Sequence, residues 1–303
     1  NGAALALDHA VAALEDEAVP RPGRLVLISP AFAVSAAAGL ARFQAALSVL
    51  PGLEKLAWSD VLPEYDPYKY NSFPLHAAHQ IHRLTSDLEE GLASLEEAGR
   101  LGELPPILTL QSVVDSTVPP VASLRRLYGR LPQNGSELVV FDVNRRSRSL
   151  GFLADSVDDL LAEARGRTFH FELTLVTDTP AGMVARTRPA GAPDSAARTE
   201  TPLALQWPRG IYSLSHVAVP IPADDPIYGA GPTHGPFPFG TLEPRGERGV
   251  LTLPLDLLMR LRYNPFFPYL EQRVQRFLGL PAAAPAAVPV AVPAAGESAV
   301  APG

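Results

Sequence analysis

Asp115 and His216 are the side chains whose types and order could do chemistry together. The aspartate ends an apolar run from Pro105, and the end of a buried strand is where ligands and catalytic groups collect in open α/β sheets. A carboxylate there can accept the Nδ1 hydrogen of an imidazole, fixing its tautomer and stabilising the imidazolium. His216 follows in the loop Ser213-Leu-Ser-His-Val-Ala-Val-Pro220. An imidazole near its ordinary pKa can take the proton of a hydroxyl nucleophile and return it to a leaving group. Of the seven histidines it alone, His234 apart, lies beyond the acidic strand ends among compact turn residues. Both residues also have structural readings: Asp115 as a cap or turn former for Ser116-Thr-Val-Pro-Pro120, His216 as a hydrogen-bonded surface residue. Asp142 ends another apolar run and is the reserve acid, with an ion pair to Arg145 or Arg146 as its alternative.

The nucleophile is less evident. The chain opens Asn1-Gly-Ala-Ala-Leu, a start such as follows the serine of a G-x-S-x-G turn, where small residues let helix and strand approach closely. Any helix starting with these small residues would look alike. A serine of that kind would stand just before Asn1; within the chain, Ser29, Ser112 and Ser213 are the hydroxyls to test. Cysteine is absent, which excludes a thiolate nucleophile, a disulfide framework and Cys-type zinc sites. His76, His79 and His82 recur every third residue in a helical stretch. No carboxylate stands at matching positions and steps of three drift around a helix, so a polar face is expected and no metal. Tyr65, Tyr68, Tyr70, Asn71 and Phe73, in the turn-rich stretch from Glu64, either line an acyl or alcohol pocket or fix the entry of an insertion.

The elements that must position these residues follow from periodicity. Leu5, Ala10, Val11 and Leu14 at helical spacing among strong helix formers predict a helix over 2–15. Leu25 to Pro30, Pro105 to Asp115 and Glu137 to Val143 are short apolar runs, read as strands buried on both faces of a parallel sheet. A helix is expected near 121–130, and helical pattern from 255 to 278 is broken at Asn264-Pro. The alternation of strand and helix is the α/β signature. Thr168 to Thr177 alternates apolar and polar, which predicts a half-exposed edge strand, and the Gly, Pro, Ala and Arg stretch from there to Trp207 reads as loop. The chain divides into a helix and strand over 1–30, a helical insertion over 31–104, a core over 105–278 and an Ala/Pro-rich tail over 279–303 that cannot build a core.

The totals bound the partners. With 303 residues, 47% of them hydrophobic, there is ample material for a buried core. A net charge of −7 and no basic run exclude nucleic acid, whose phosphates need clustered Lys and Arg. No apolar run reaches the roughly 18 residues of a membrane span. Association with a lipid surface, oligomeric state and compartment stay open, since any signal would lie upstream of Asn1 and the sequence starts as though cut.

Read together, Asn1-Gly-Ala-Ala-Leu-Ala-Leu, Leu25-Val-Leu-Ile-Ser-Pro, Pro63-Glu-Tyr-Asp-Pro-Tyr-Lys-Tyr-Asn-Ser-Phe-Pro, Gln111-Ser-Val-Val-Asp-Ser-Thr-Val, Glu137-Leu-Val-Val-Phe-Asp-Val-Asn-Arg and Leu214-Ser-His-Val-Ala-Val-Pro resemble a bacterial branch of the α/β-hydrolase family, serine esterases or lipases, over roughly residues 1–278. The resemblance implies a partial α/β-hydrolase fold, a mostly parallel sheet without its N-terminal strands, and a helical lid over 31–104. It implies Asp115 as the acid, His216 as the base, and the backbone N–H of Asn1 as one oxyanion donor after a serine absent from this chain. The substrate would be a small carboxylic ester and no cofactor is implied. Alternatives are an amidase, thioesterase or peptidase using the same residues, or an inactive fragment or binding scaffold. The stretch of about 70 residues between the third strand and His216 is longer than the family's usual link.

Overall fold

A computed structural model describes residues 1–32, 50–60, 72–113, 120–142, 160, 162–163, 165–193, 196–207, 213–215, 217–229 and 260–281. Helix α1 (Gly2–Glu15) opens the chain, and strand β1 (Leu25–Ile28) follows. A short pair, β2 (Trp58–Asp60) and β3 (Phe73–Pro74), leads into the long helix α2 (Leu75–Glu97). Then come β4 (Ile107–Ser112), the short helix α3 (Pro120–Ser123) running into a π turn over Leu124–Tyr128, and β5 (Glu137–Asp142). Strands β6 (Glu172–Thr179), β7 (Gly182–Arg188) and β8 (Thr199–Pro202) follow, then the two-residue strands β9 (Ser213–Leu214) and β10 (Arg260–Leu261). Helix α4 (Phe267–Leu278) ends at Gly279, whose φ of 70° lets its N–H and that of Leu280 return to the carbonyls of Arg276 and Gln275.

The main sheet has six strands in the order β1-β4-β5-β6-β7-β8. Its first four run parallel, and β6, β7 and β8 form an antiparallel meander. The apolar runs of β4 and β5 are buried on both faces, as parallel strands covered by helices require. One face, with Leu25, Leu27, Ile107, Leu138, Val140 and Leu173, packs under α1, α2 and the π turn. The other, with Leu108, Leu110, Val139, Phe141 and Val176, packs under α4 and the segment from Leu214 to Val219. The result is a three-layer α/β arrangement.

Strand β6 is not the edge that its alternation predicted. It lies between β5 and β7, and the stretch expected to be loop supplies β7 and β8, which are the covering strands. A two-residue turn joins β6 to β7, with Thr179 opposite Gly182. The side chains of Thr174 and Thr187, 3.0 Å apart, and the ion pair of Arg186 with Glu200 at 2.6 Å link neighbours across the meander.

Within the expected lid, α2 belongs to the core layer. Its stripe of Leu88, Leu92 and Leu95 is buried in the cluster that holds α1 and the sheet, which is what helical spacing of apolar residues does when a sheet face is open to it. Residues 33–49 and 61–71 of that insertion, and 282–303 of the tail, lie outside the described residues.

The two helices touch at Gly91, where an added Cβ would come within 2.9 Å of Val11 Cγ1. Alanine there would gain about 1 kcal/mol of helix propensity, yet Val11 is β-branched and has one helical rotamer with which to yield. Overpacking of this kind costs roughly 1–3 kcal/mol, so Gly91→Ala should lower the urea midpoint by about 1 kcal/mol of stability. Adding Val11→Ala should turn the effect of Gly91→Ala favourable. A midpoint that rises for Gly91→Ala alone would contradict the close approach.

Candidate active site

The C-terminal ends of the parallel strands form one polar edge. In register, Ile28 lies opposite Leu110, Ser112 opposite Phe141, and Asp142 opposite Thr177. Asp142 is 4% exposed and accepts a hydrogen bond from Thr177 Oγ1 at 3.2 Å, so the reserve acid is engaged along its own sheet. Arg145 and Arg146, its expected partners, lie outside the described residues. Ser29, directly after β1, has φ of 47°, a left-handed value unusual for a residue with a side chain. Its N–H donates to Leu110 O at 2.9 Å. The hydroxyls of Ser29, Ser112 and Ser215 are sealed from solvent and have no hydrogen-bond partner among the described residues, each a cost of about 1–3 kcal/mol unless a partner arrives.

The start of α1 faces the same edge. Leu14 O at its other end accepts from Arg100, and Leu25 N–H, opening β1, donates to Pro106 O, so that end sits where the parallel strands begin. A helix of 14 residues spans about 21 Å, which carries Asn1 back to the strand ends. Asn1 is the exposed N-cap; its carbonyl accepts Leu5 N–H at 3.1 Å and its side chain makes no capping bond. Helix α2 runs alongside in the same direction, since Val11 meets Gly91 and the carboxylate of Asp8 feels that of Asp87. Burial first, and Asp87 second, raise the Asp8 pKa above its ordinary value.

Asp115 and His216 lie outside the described residues, but the chain on either side of them is placed. Val113, two residues before the acid, donates its N–H to Phe141 O at 3.0 Å. Next to the histidine, Ser215 O accepts the N–H groups of Ala218 at 2.9 Å and Val219 at 3.2 Å. Leu214, Ala218 and Val219 are fully buried, in the same cluster as Leu110 and Phe141 near the ends of β4 and β5. Val113 itself packs on the α1 and α2 face and Leu214, Ala218 and Val219 on the α4 face, so the flanks approach the C-terminal ends of β4 and β5 from the two sides of the sheet.

Of the pocket candidates, Tyr65, Tyr68, Tyr70 and Asn71 also lie outside the described residues. Phe73 is in β3, 41% exposed, and Trp58 in β2 is equally so. That strand pair leads straight into α2, whose first turns extend beyond the start of α1. His76, His79 and His82 occupy those turns; His76 is 3.4 Å from Gln80, and the Nδ1 of His79 is sealed without a partner among the described residues. Among the described residues no group of three His, Cys, Asp or Glu side chains could hold a metal, and no helix is long and apolar enough to cross a membrane.

Two features escaped sequence reasoning. Asn264, with no exposed surface, joins the chain beyond His216 to α4, and only its position in Asn-Pro marked it as a break. A groove of about 830 Å³ lies between α4 and the meander, lined among others by Thr187, Thr199, Thr201, Gln272 and Arg276. Glu137 and Glu172 at its floor begin β5 and β6, which puts it at the opposite end of the sheet from the serines, and Arg273 holds both carboxylates. No family model, no curated protein and no solved structure matches the chain.

Proposed function

We propose that this chain carries the acid and base of a serine hydrolase that cleaves carboxylic esters by acyl transfer on an α/β-hydrolase fold. His216 acts as general base and then general acid, and Asp115 orients it and stabilises its imidazolium form. The nucleophile in this reading is a serine joined to Asn1, with the Asn1 N–H as an oxyanion donor beside the positive end of α1. The observation that carries the reading is that both flanks reach the C-terminal end of β5: Val113 N–H is bonded to Phe141 O, and the turn from Ser215 is tied through Asn264 and Phe266 to the Phe141 ring. It supports a short path between the acid and the base at the strand ends, where open α/β sheets bind ligands.

An apolar acyl or alcohol group suits the exposed Trp58 and Phe73 beside that edge. The reaction needs no metal or organic cofactor in this scheme. The test is labelling of the intact protein with a fluorophosphonate, together with hydrolysis of short-chain activated ester, thioester and peptide substrates. A label on the serine before Asn1 and preference for the ester is the expected result. A label on Ser29, Ser112 or Ser213 would put the nucleophile within residues 1–303, and the absence of both label and turnover would leave a binding scaffold.

A further inference from the structure

The loop after β9 is held by one buried side chain more than by its sheet. β9 has only two residues, each paired with β10. Beyond it the chain closes on Ser215 O and then on Ala218 O, which accepts Ile221 N–H at 3.0 Å. Asn264 fastens this turn from below. Its Nδ2 donates to Val219 O at 3.0 Å, its own N–H donates to Ile221 O at 2.7 Å, and its Oδ1 accepts Phe266 N–H at 2.9 Å. Phe266 in turn stacks on Phe141 of β5, with ring centres 6.1 Å apart, and on Trp207 at 5.5 Å. A continuous line of contacts thus runs from the C-terminal half of β5 through Phe266 and Asn264 to the turn that starts at Ser215.

Apolar packing of Leu214, Ala218 and Val219 gives this turn burial but little direction, because such contacts are non-directional. The amide of Asn264 supplies direction, since its donor and acceptor must each meet a backbone group at hydrogen-bond distance. A fully buried amide is costly unless both ends are satisfied, and both are.

We propose that Asn264 is a positioning residue for the histidine base: it fixes the turn adjoining His216 relative to the ends of β4 and β5. The proposal rests on the hydrolase reading above. It acts through His216 and takes no part in bond making.

The experiment is a double-mutant cycle in the intact protein. Asn264→Asp keeps the size and the acceptor for Phe266 but turns an oxygen towards Val219 O. With His216 present, kcat for an activated ester should fall about 10- to 100-fold while KM stays within about twofold, the pattern of a displaced catalytic group. In a His216→Ala background the same change should alter the residual kcat less than about twofold, although its effect on the unfolding midpoint is the same in both backgrounds. An equal loss of kcat in both backgrounds would overturn the positioning role, as would full activity of Asn264→Asp in a protein that depends on His216. If Asn264→Asp does not fold, Asn264→Ser, which adds no charge, is carried through the same cycle with the same criteria. An inert parent protein, or a fully active His216→Ala, would instead remove the hydrolase reading and this proposal with it.

Discussion

His216→Ala in the intact protein is expected to lower kcat for a short-chain ester by on the order of 10⁴- to 10⁶-fold, with little change in KM. Without the imidazole, a serine hydroxyl must lose its proton to water as it attacks, and the leaving alkoxide departs without a proton donor. What survives is the contribution of oxyanion donors and substrate binding. Asp115→Asn should cost less, about 10⁴-fold, because an amide leaves the ring in place but favours the wrong tautomer. Combining the two should cost no more than His216→Ala alone, since the residues act as a unit. If Asp115→Asn is silent and Asp142→Asn is not, the acid is Asp142. That outcome is disfavoured by the bond from Thr177, which occupies one oxygen of the Asp142 carboxylate inside the sheet. Turnover left intact by His216→Ala would end the assignment of the base.

Arg273→Ala is expected to have the largest effect on stability, a loss of about 3 kcal/mol. Arg273 is 6% exposed and lies between Glu137 at 2.7 Å and Glu172, so one guanidinium bridges the carboxylates that open two neighbouring parallel strands. Burial is the largest single influence and works against its charge, but the carboxylates of Glu137 and Glu172 outweigh it and its pKa is raised, so the charged form is the one the fold holds. Removing it leaves two carboxylates, 19% and 32% exposed, facing each other without a cation. The cost comes from the abandoned charges rather than from the net worth of the pairing. Glu137→Gln with Glu172→Gln added to Arg273→Ala should therefore recover most of the loss. Urea unfolding of the parent and these two variants decides it; an Arg273→Ala protein no less stable than the parent would show that α4 is held by its apolar face alone. That face is substantial, since Leu270 and Phe277 are buried against the sheet, and Arg24 reaches the other end of α4 with a bond to Phe277 O at 2.5 Å.

Elements whose burial writes a local pattern could be read from the residues alone. The helix over 2–15 was legible from its helical spacing of apolar residues, and the strands beginning at Leu25, Ile107 and Glu137 because parallel strands covered on both faces are predominantly apolar. The placement of Asp142 at a strand end was legible for the same reason. The tertiary structure decided the rest. Strand β6 looked like an edge because polar and apolar residues alternate from Thr168 into it, and the meander that covers it has almost no periodicity of its own. Backbone pairing between neighbouring antiparallel strands asks little of side-chain type, so β7 and β8 left no signal in the residues. In the same way, α2 was legible as a helix but not as part of the core, because an amphipathic stripe states that it will be buried and not against what. The carboxylates that hold Arg273 stand 136 and 101 positions from it, and the carbonyl bound by Asn264 Nδ2 stands 45 positions away. Contacts at such separations are set by how the layers close on one another, and no window of sequence contains both partners.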